Sequence, residues 1–291
     1  MQNHLPSMPE LKQAHPLTPP DTLWIYSFQG RFSSSATDSF HDFLGTWVEE
    51  DLSFLFFIQP AEGQIRDLLK VCPQVQWLDS YQMSYTEWIG GKLLPFNVGR
   101  IHIHPVWFSC QAGPDMESIA LDPGVVFGGG THQTTLDCLK ALNFIARDQG
   151  KDRLLDLGSG TGILALAAAK LGWTQVVAVD LNPLAAWTTK VNVQGNKLVD
   201  QVVAVQGRAE DILQIPAHTV VANIHFDIMI RLVHMQAFWD KPRFVLSGLL
   251  RSQAMTVLEQ LKGLGALVEG VLDDGTWFTL VGRQQSCNER T

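Results

Sequence analysis

Residues 154–162, Leu-Leu-Asp-Leu-Gly-Ser-Gly-Thr-Gly, constrain this chain more than any other stretch. A short apolar run that stops at glycine reads as a buried parallel strand. Residues 163–170 are rich in alanine and leucine and are closed by Gly172, which predicts a helix with its stop signal. Strand, glycine turn and helix in this order place a flexible backbone at a helix N-terminus. Glycine there lets a ligand approach without a Cβ in the way, and the helix aims free N–H groups at the same place.

The spacing selects the ligand. A dinucleotide loop is written G-x-G-x-x-G, whereas Gly158, Gly160 and Gly162 form G-x-G-x-G, with Asp156 two residues before the first. This arrangement is similar to the loop of S-adenosylmethionine-dependent methyltransferases, which implies a cofactor contact along Asp156, Gly158, Ser159, Gly160 and Gly162. A second strand, residues 175–179, ends in Asp180, and Asp180 and Leu181 are expected to contact the cofactor. The step of 24 residues from Asp156 to Asp180 is about one βαβ repeat, as an acid serving the ribose requires. The alternative is a glycine turn in some other doubly wound domain.

At 291 residues the chain can hold two domains. Its 46% hydrophobic content suffices for full cores, and a net charge of −8 argues against a broad nucleic-acid footprint. Cys72, Cys110, Cys138 and Cys287 show neither metal spacing nor a disulfide pattern. There is no apolar signal core and no membrane-length run, so a cytoplasmic location with no membrane partner is expected; a monomer without direct nucleic-acid specificity is expected as well.

Residues 1–21 carry five prolines and few large apolar groups, and a loose tail is expected. Beyond them the pattern predicts a strand at 23–28, the end of a short helix at 39–43, a hairpin over 45–58 turning near Glu50 and Asp51, a helix at 61–72 and a strand at 75–81. That succession is the split βαβ order of a ferredoxin-like domain. It holds no catalytic constellation, so residues 1–90 are assigned recognition, and a chain beginning near Lys92 is expected to keep its cofactor contacts. His102 and His104 alternate with Ile101 and Ile103 on one strand, facing solvent or a domain junction, with no third ligand nearby for a metal.

Residues 121–135 form a glycine-rich loop with hydroxyls, ahead of a helix at 136–147. It reads either as an entry loop capped by Thr134 or Thr135, or as a flap whose Phe127, Gly128, Thr131, His132 and Thr134 reach the cofactor. A third strand, 202–205, leads to Ala209 and Glu210, at a strand end where backbone commonly reads an adenine edge; the alternative is an ordinary loop. Asn223 ends a fourth strand, 220–224, either capping the helix that follows or using its amide beside the reactive methyl. Strand 244–248, helix 252–264 and a closing hairpin, 266–273 with 276–283, complete a seven-stranded sheet.

The blocks at 96–100, 121–135, 156–162, 222–224, 246–250 and 277–283 resemble the PrmA family, the methyltransferases of ribosomal large-subunit protein L11. The resemblance runs from about residue 85 to 283; before that only the topology is shared. It implies an α/β class I methyltransferase domain, Rossmann-like and seven-stranded, at 91–291, behind a small ferredoxin-like α+β domain that holds the ribosomal protein. It also implies S-adenosyl-L-methionine as cofactor, lysine or N-terminal amines as acceptors, and Asn223 with the Ile224 carbonyl at the acceptor nitrogen. Two departures stand out. Gly129 replaces a threonine usual in the family loop, and His225-Phe226-Asp227 replaces a small apolar run. Three rivals remain: a dinucleotide oxidoreductase, a methyltransferase for another protein, a nucleic acid or a small molecule, and a cofactor-binding homologue without activity.

Overall fold

The structure is a computed structural model that describes residues 18–285 except 111 and 149. The expected loose tail therefore falls largely outside the described residues, as does Cys287.

The N-terminal unit is built from β1 (Thr22–Gln29), a 3-10 turn (Ser34–Thr37), β2 (Phe43–Glu49), β3 (Leu52–Phe57), α1 (Glu62–Val71) and β4 (Gln76–Ser84). Its antiparallel sheet runs β2-β3-β1-β4, the ferredoxin-like order. One expectation fails here. No helix ends at residues 39–43; Asp42 has φ +57, which a helix cannot accommodate, and Phe43 opens β2. Phe40 and Phe43 instead pack on Phe57, with ring centroids 5.4 and 5.1 Å away.

The central strands β1 and β3 are buried on both faces, which is why residues 23–28 show little polar alternation. Tyr26, Phe28, Leu55 and Phe57 face α1 through Ile65 and Leu68. Leu23, Ile25 and Phe56 on the other face pack with Val125, Val126, Leu184 and Ala185 of the C-terminal part. Gly45 meets that part so closely that a Cβ would lie 2.4 Å from Leu184 Cδ1.

A short helix, α2 (Tyr85–Trp88), then leads to a three-stranded sheet that the sequence reading only half anticipates: β5 (Phe96–Val98), β6 (Ile101–Pro105) and β7 (Glu117–Leu121). After it come α3 (Gln133–Ile145), β8 (Arg153–Leu157), α4 (Ile163–Lys170), β9 (Gln175–Asp180), α5 (Pro183–Gly195), β10 (Val202–Gln206), α6 (Ala209–Ile212) and β11 (Thr219–Asn223). The chain closes with α7 (Phe226–His234), α8 (Gln236–Trp239), β12 (Arg243–Leu250), α9 (Arg251–Gly263), β13 (Ala266–Asp273) and β14 (Trp277–Gln284).

These strands form one sheet in the order β10-β9-β8-β11-β12-β14-β13, with β14 and β13 antiparallel to their neighbours. This is the expected seven-stranded class I methyltransferase architecture. The order reverses between β8 and β11, so a crevice opens at the strands' C-terminal ends there. Among the described residues no helix is long and apolar enough to cross a membrane, and no three His, Cys, Asp or Glu side chains are placed to share a metal.

Candidate active site

A cavity of about 760 Å³ occupies that crevice, within the size range of small-molecule sites. Its floor is the glycine turn after β8. Gly158 has φ +81, and a Cβ on it would lie 2.2 Å from Ile224 Cγ2; Gly160 has φ +55, and its Cβ would lie 2.4 Å from the Phe127 carbonyl oxygen. Any side chain would fill the cradle, which is the physical content of the spacing. Both glycines line the cavity. Ser159 and Gly162 do not. Ser159 Oγ lies 3.0 Å from Thr189 Oγ1, and Gly162 packs on the same threonine at the head of α4.

Asp180 stands at the mouth of β9 with its carboxylate in the cavity wall. Oδ2 accepts from the Gly160 N–H and Oδ1 from the Asn182 N–H, each at 2.9 Å. A carboxylate oxygen has about two lone-pair sites, so each retains capacity for a ribose hydroxyl. Burial raises the Asp180 pKa above its ordinary value, and the two backbone bonds draw it partly back.

Asp156 corrects the sequence reading: it does not line the cavity. It is fully buried, and its Oδ2 accepts from the Ala165 N–H at 3.1 Å. Gly162, the N-cap of α4, has no side chain to offer, so Asp156 caps the helix from the adjoining strand. Burial, more than the nearby Asp180, pushes its pKa up to about 7.

The glycine-rich loop is anchored on both sides. Thr161 Oγ1 donates to the Gly128 carbonyl at 2.6 Å, while Tyr85 Oη and Trp88 Nε1 donate to the carbonyls of Gly124 and Val125 at 2.7 and 3.1 Å. Phe127, His132 and Thr134 reach the cavity. Gly128 and Thr131 face instead a neighbouring cavity of about 600 Å³. The helix cap is neither Thr134 nor Thr135 but His132, whose ring accepts from the Thr134 N–H. Thr134 is then free for another task. Its Oγ1 lies 2.8 Å from His132 Nδ1 and 3.1 Å from Asn223 Nδ2.

That chain of bonds fixes Asn223. The amide N–H₂ donates to Thr134, leaving the side-chain oxygen with no other role assigned by the fold. Asn223 is not the cap of α7, because His225 holds that position. Beside it, β12 is interrupted after Leu246, and Gly248 has φ +83. A Cβ on Gly248 would lie 2.8 Å from the Ile224 carbonyl oxygen and 3.1 Å from Asn223 Oδ1. Two acceptor oxygens thus converge on one point that only glycine leaves open, and Asn223, Ile224 and Gly248 all line the cavity.

Comparisons with known proteins give the family. The family model for ribosomal protein L11 methyltransferase (PrmA) matches residues 63–285. The chain belongs to the PrmA family. A relative from Halalkalibacterium halodurans, named ribosomal protein L11 methyltransferase, is 34% identical over 251 residues, covering 84% of this chain and 76% of its own. One of the same name from Anoxybacillus flavithermus is 31% identical over 252 residues, covering 84% and 78%. The solved ribosomal protein L11 methylase of Lactobacillus delbrueckii subsp. bulgaricus superposes with a TM-score of 0.57 at 26% identity, spanning 66% of this chain and 100% of that one.

Within the PrmA frame, several wall residues come from places that sequence reasoning did not select. Ala209 and Glu210 line the cavity as expected, but Arg208 and Arg231 hold Glu210 Oε1 at 3.2 and 3.3 Å. Trp277 closes the opposite side, its ring 5.3 Å from that of His132. The unexpected member is Trp47 of β2. Its strand is tied to the cofactor side by Asn182 Nδ2, which donates to the Val48 carbonyl at 3.1 Å. The N-terminal unit therefore supplies part of the wall, and a chain beginning near Lys92 loses it. Trp47→Ala should weaken S-adenosylmethionine binding about fivefold, or about 1 kcal/mol, measured by calorimetry. Unchanged affinity would make Trp47 a bystander.

The family departure at Gly129 is benign. This glycine has no positive φ, and a Cβ would meet only Pro123 Cβ, at 3.9 Å. Gly129→Thr should leave the melting temperature and the cofactor affinity at or above their original values; a loss in either would show that the loop needs glycine there.

Proposed function

We propose that the chain is a protein N-methyltransferase that carries a methyl group from S-adenosylmethionine to lysine side chains, an N-terminal α-amine, or both, on ribosomal protein L11. The observation that carries this reading is the pair of acceptors, Asn223 Oδ1 and the Ile224 carbonyl, converging beside Gly248. An amine nitrogen near that point donates two hydrogens and turns its lone pair away from both oxygens. The relatives' names supply the substrate.

The cavity suits the cofactor. Glycines that a Cβ would block form the cradle, the Asp180 carboxyl keeps acceptor capacity for a ribose, and the walls are otherwise largely apolar. When bound there, S-adenosylmethionine supplies an activated methyl on a cationic sulfur. The chain supplies orientation and dryness. An acceptor lysine must be neutral, against an ordinary pKa of about 10.4. The largely apolar lining, to which Phe127, Ile224 and Ile228 contribute, disfavours the ammonium once cofactor and acceptor displace the water. Asn223 and Ile224 then aim the neutral nitrogen, and the released proton passes to solvent.

The second cavity gives the acceptor a route. It shares Phe127, His132 and Trp277 with the first and is rimmed by Trp88 and Asp274. Backbone N–H groups of Trp277 and Thr276 hold the Asp274 pKa below its ordinary value, so a carboxylate meets an incoming cation. Labelled methyl transfer into a cell lysate, resolved by gel, tests the reading. It predicts one protein band at ribosomal protein L11; label confined to nucleic acid or small molecules would overturn it.

A further inference from the structure

His102 belongs to a second constellation, outside both cavities. On β6 its Nδ1 lies 2.6 Å from Asn97 Oδ1 of β5, and its Nε2 lies 3.3 Å from Cys110 Sγ in the loop that leads to β7. The Asn97 carbonyl oxygen only accepts, so it places the proton on Nδ1 and leaves the Nε2 lone pair facing the thiol. A thiol, a base within hydrogen-bond reach and a third group orienting that base are the parts of an activated nucleophile. The strand geometry explains how they meet. Asn97 pairs directly with His102 across the β5–β6 ladder, and the chain returns after Pro105 to bring Cys110 over the same face. His104, two residues on, stacks on His102 with ring centroids 5.7 Å apart and backs the imidazole. Cys110 is partly exposed, whereas Cys72 and Cys138 are buried.

We propose that Cys110 is a reactive thiol, activated by His102 and Asn97, that takes small disulfides. The methyl-transfer machinery uses none of the three residues. In the reaction His102 Nε2 accepts the Cys110 proton and the thiolate attacks one sulfur of the disulfide. A new Sγ–S bond forms as the old S–S bond breaks, and the departing thiolate recovers the proton from His102. Cys110 is oxidised to a mixed disulfide and half of the reagent is reduced to a thiol. The strand pair and loop are thus a modification site whose ligand class is a low-molecular-weight disulfide.

The test uses the full chain carrying Cys287→Ser, with the chromogenic disulfide dithiobis-nitrobenzoate as probe and peptide mapping to locate the adduct. Cys110 is expected to react first, and at least tenfold faster than in the same chain carrying His102→Gln. Asn97→Ala should slow it, and Asn97→Asp, which still accepts from Nδ1, should restore it. Should His102→Gln fail to fold, as judged by its melt, the Asn97 pair alone decides. Equal rates in Asn97→Ala and Asn97→Asp, an unchanged rate in a folded His102→Gln chain, or first modification at a buried cysteine would each overturn the assignment.

Discussion

Asp180→Ala should weaken binding of S-adenosylmethionine by about tenfold to a hundredfold, the equivalent of losing about 1.5–3 kcal/mol of charge-assisted hydrogen bonding. Two losses combine. The ribose hydroxyls lose their acceptor, and the Gly160 and Asn182 N–H groups lose the carboxylate that holds the glycine turn against β9. The fold should survive, because removing a buried carboxylate also removes a desolvation cost. Calorimetry on Asp180→Ala and Asp180→Asn separates the two losses, since Asn keeps one acceptor oxygen and should lie between Ala and the parent. Parent-like affinity in the Ala variant would place the ribose elsewhere.

Asn223→Asp should slow a single turnover by at least about tenfold, or about 1.4 kcal/mol of barrier, without weakening the cofactor. A carboxylate beside the acceptor point holds the incoming amine as ammonium by raising its pKa. It also attracts a cationic cofactor before transfer, where the charge is greatest. The change removes the N–H donor to Thr134, a cost of about 1 kcal/mol in stability, so melts should drop slightly. Rapid-quench single turnovers beside calorimetry measure both effects. Parent turnover with the cofactor still bound would move the acceptor site away from β11.

The seven-stranded sheet was legible because its strands are apolar runs bounded by turn signals, and Asp180 and Asn223 of the site stand at strand ends. What stayed hidden depends on contacts between distant residues. Nothing local in β2 says that Trp47 reaches the cavity in the crevice, since its strand is joined to the C-terminal part by a bond between residues 134 apart. Asp156 looked like a ligand residue because it adjoins the glycines, but alternation along β8 turns it toward α4. Thr134 and Thr135 looked like caps; a histidine ring took that role and released Thr134 to orient Asn223. The short β7 escaped notice because five residues of modest hydrophobicity carry no period of their own. Gly248 was visible only as part of a family block, and its meaning lies in the two oxygens its missing Cβ exposes.

The most direct test is the intact mass of purified ribosomal protein L11 after incubation with S-adenosylmethionine and the full chain, with fragments mapped to the modified amines. Whole-methyl mass increases confined to lysine or N-terminal nitrogens are expected, greatly slowed by Asn223→Asp. Unmodified L11 in the presence of a chain that binds the cofactor, or methyl groups on carbon or oxygen, would contradict this expectation.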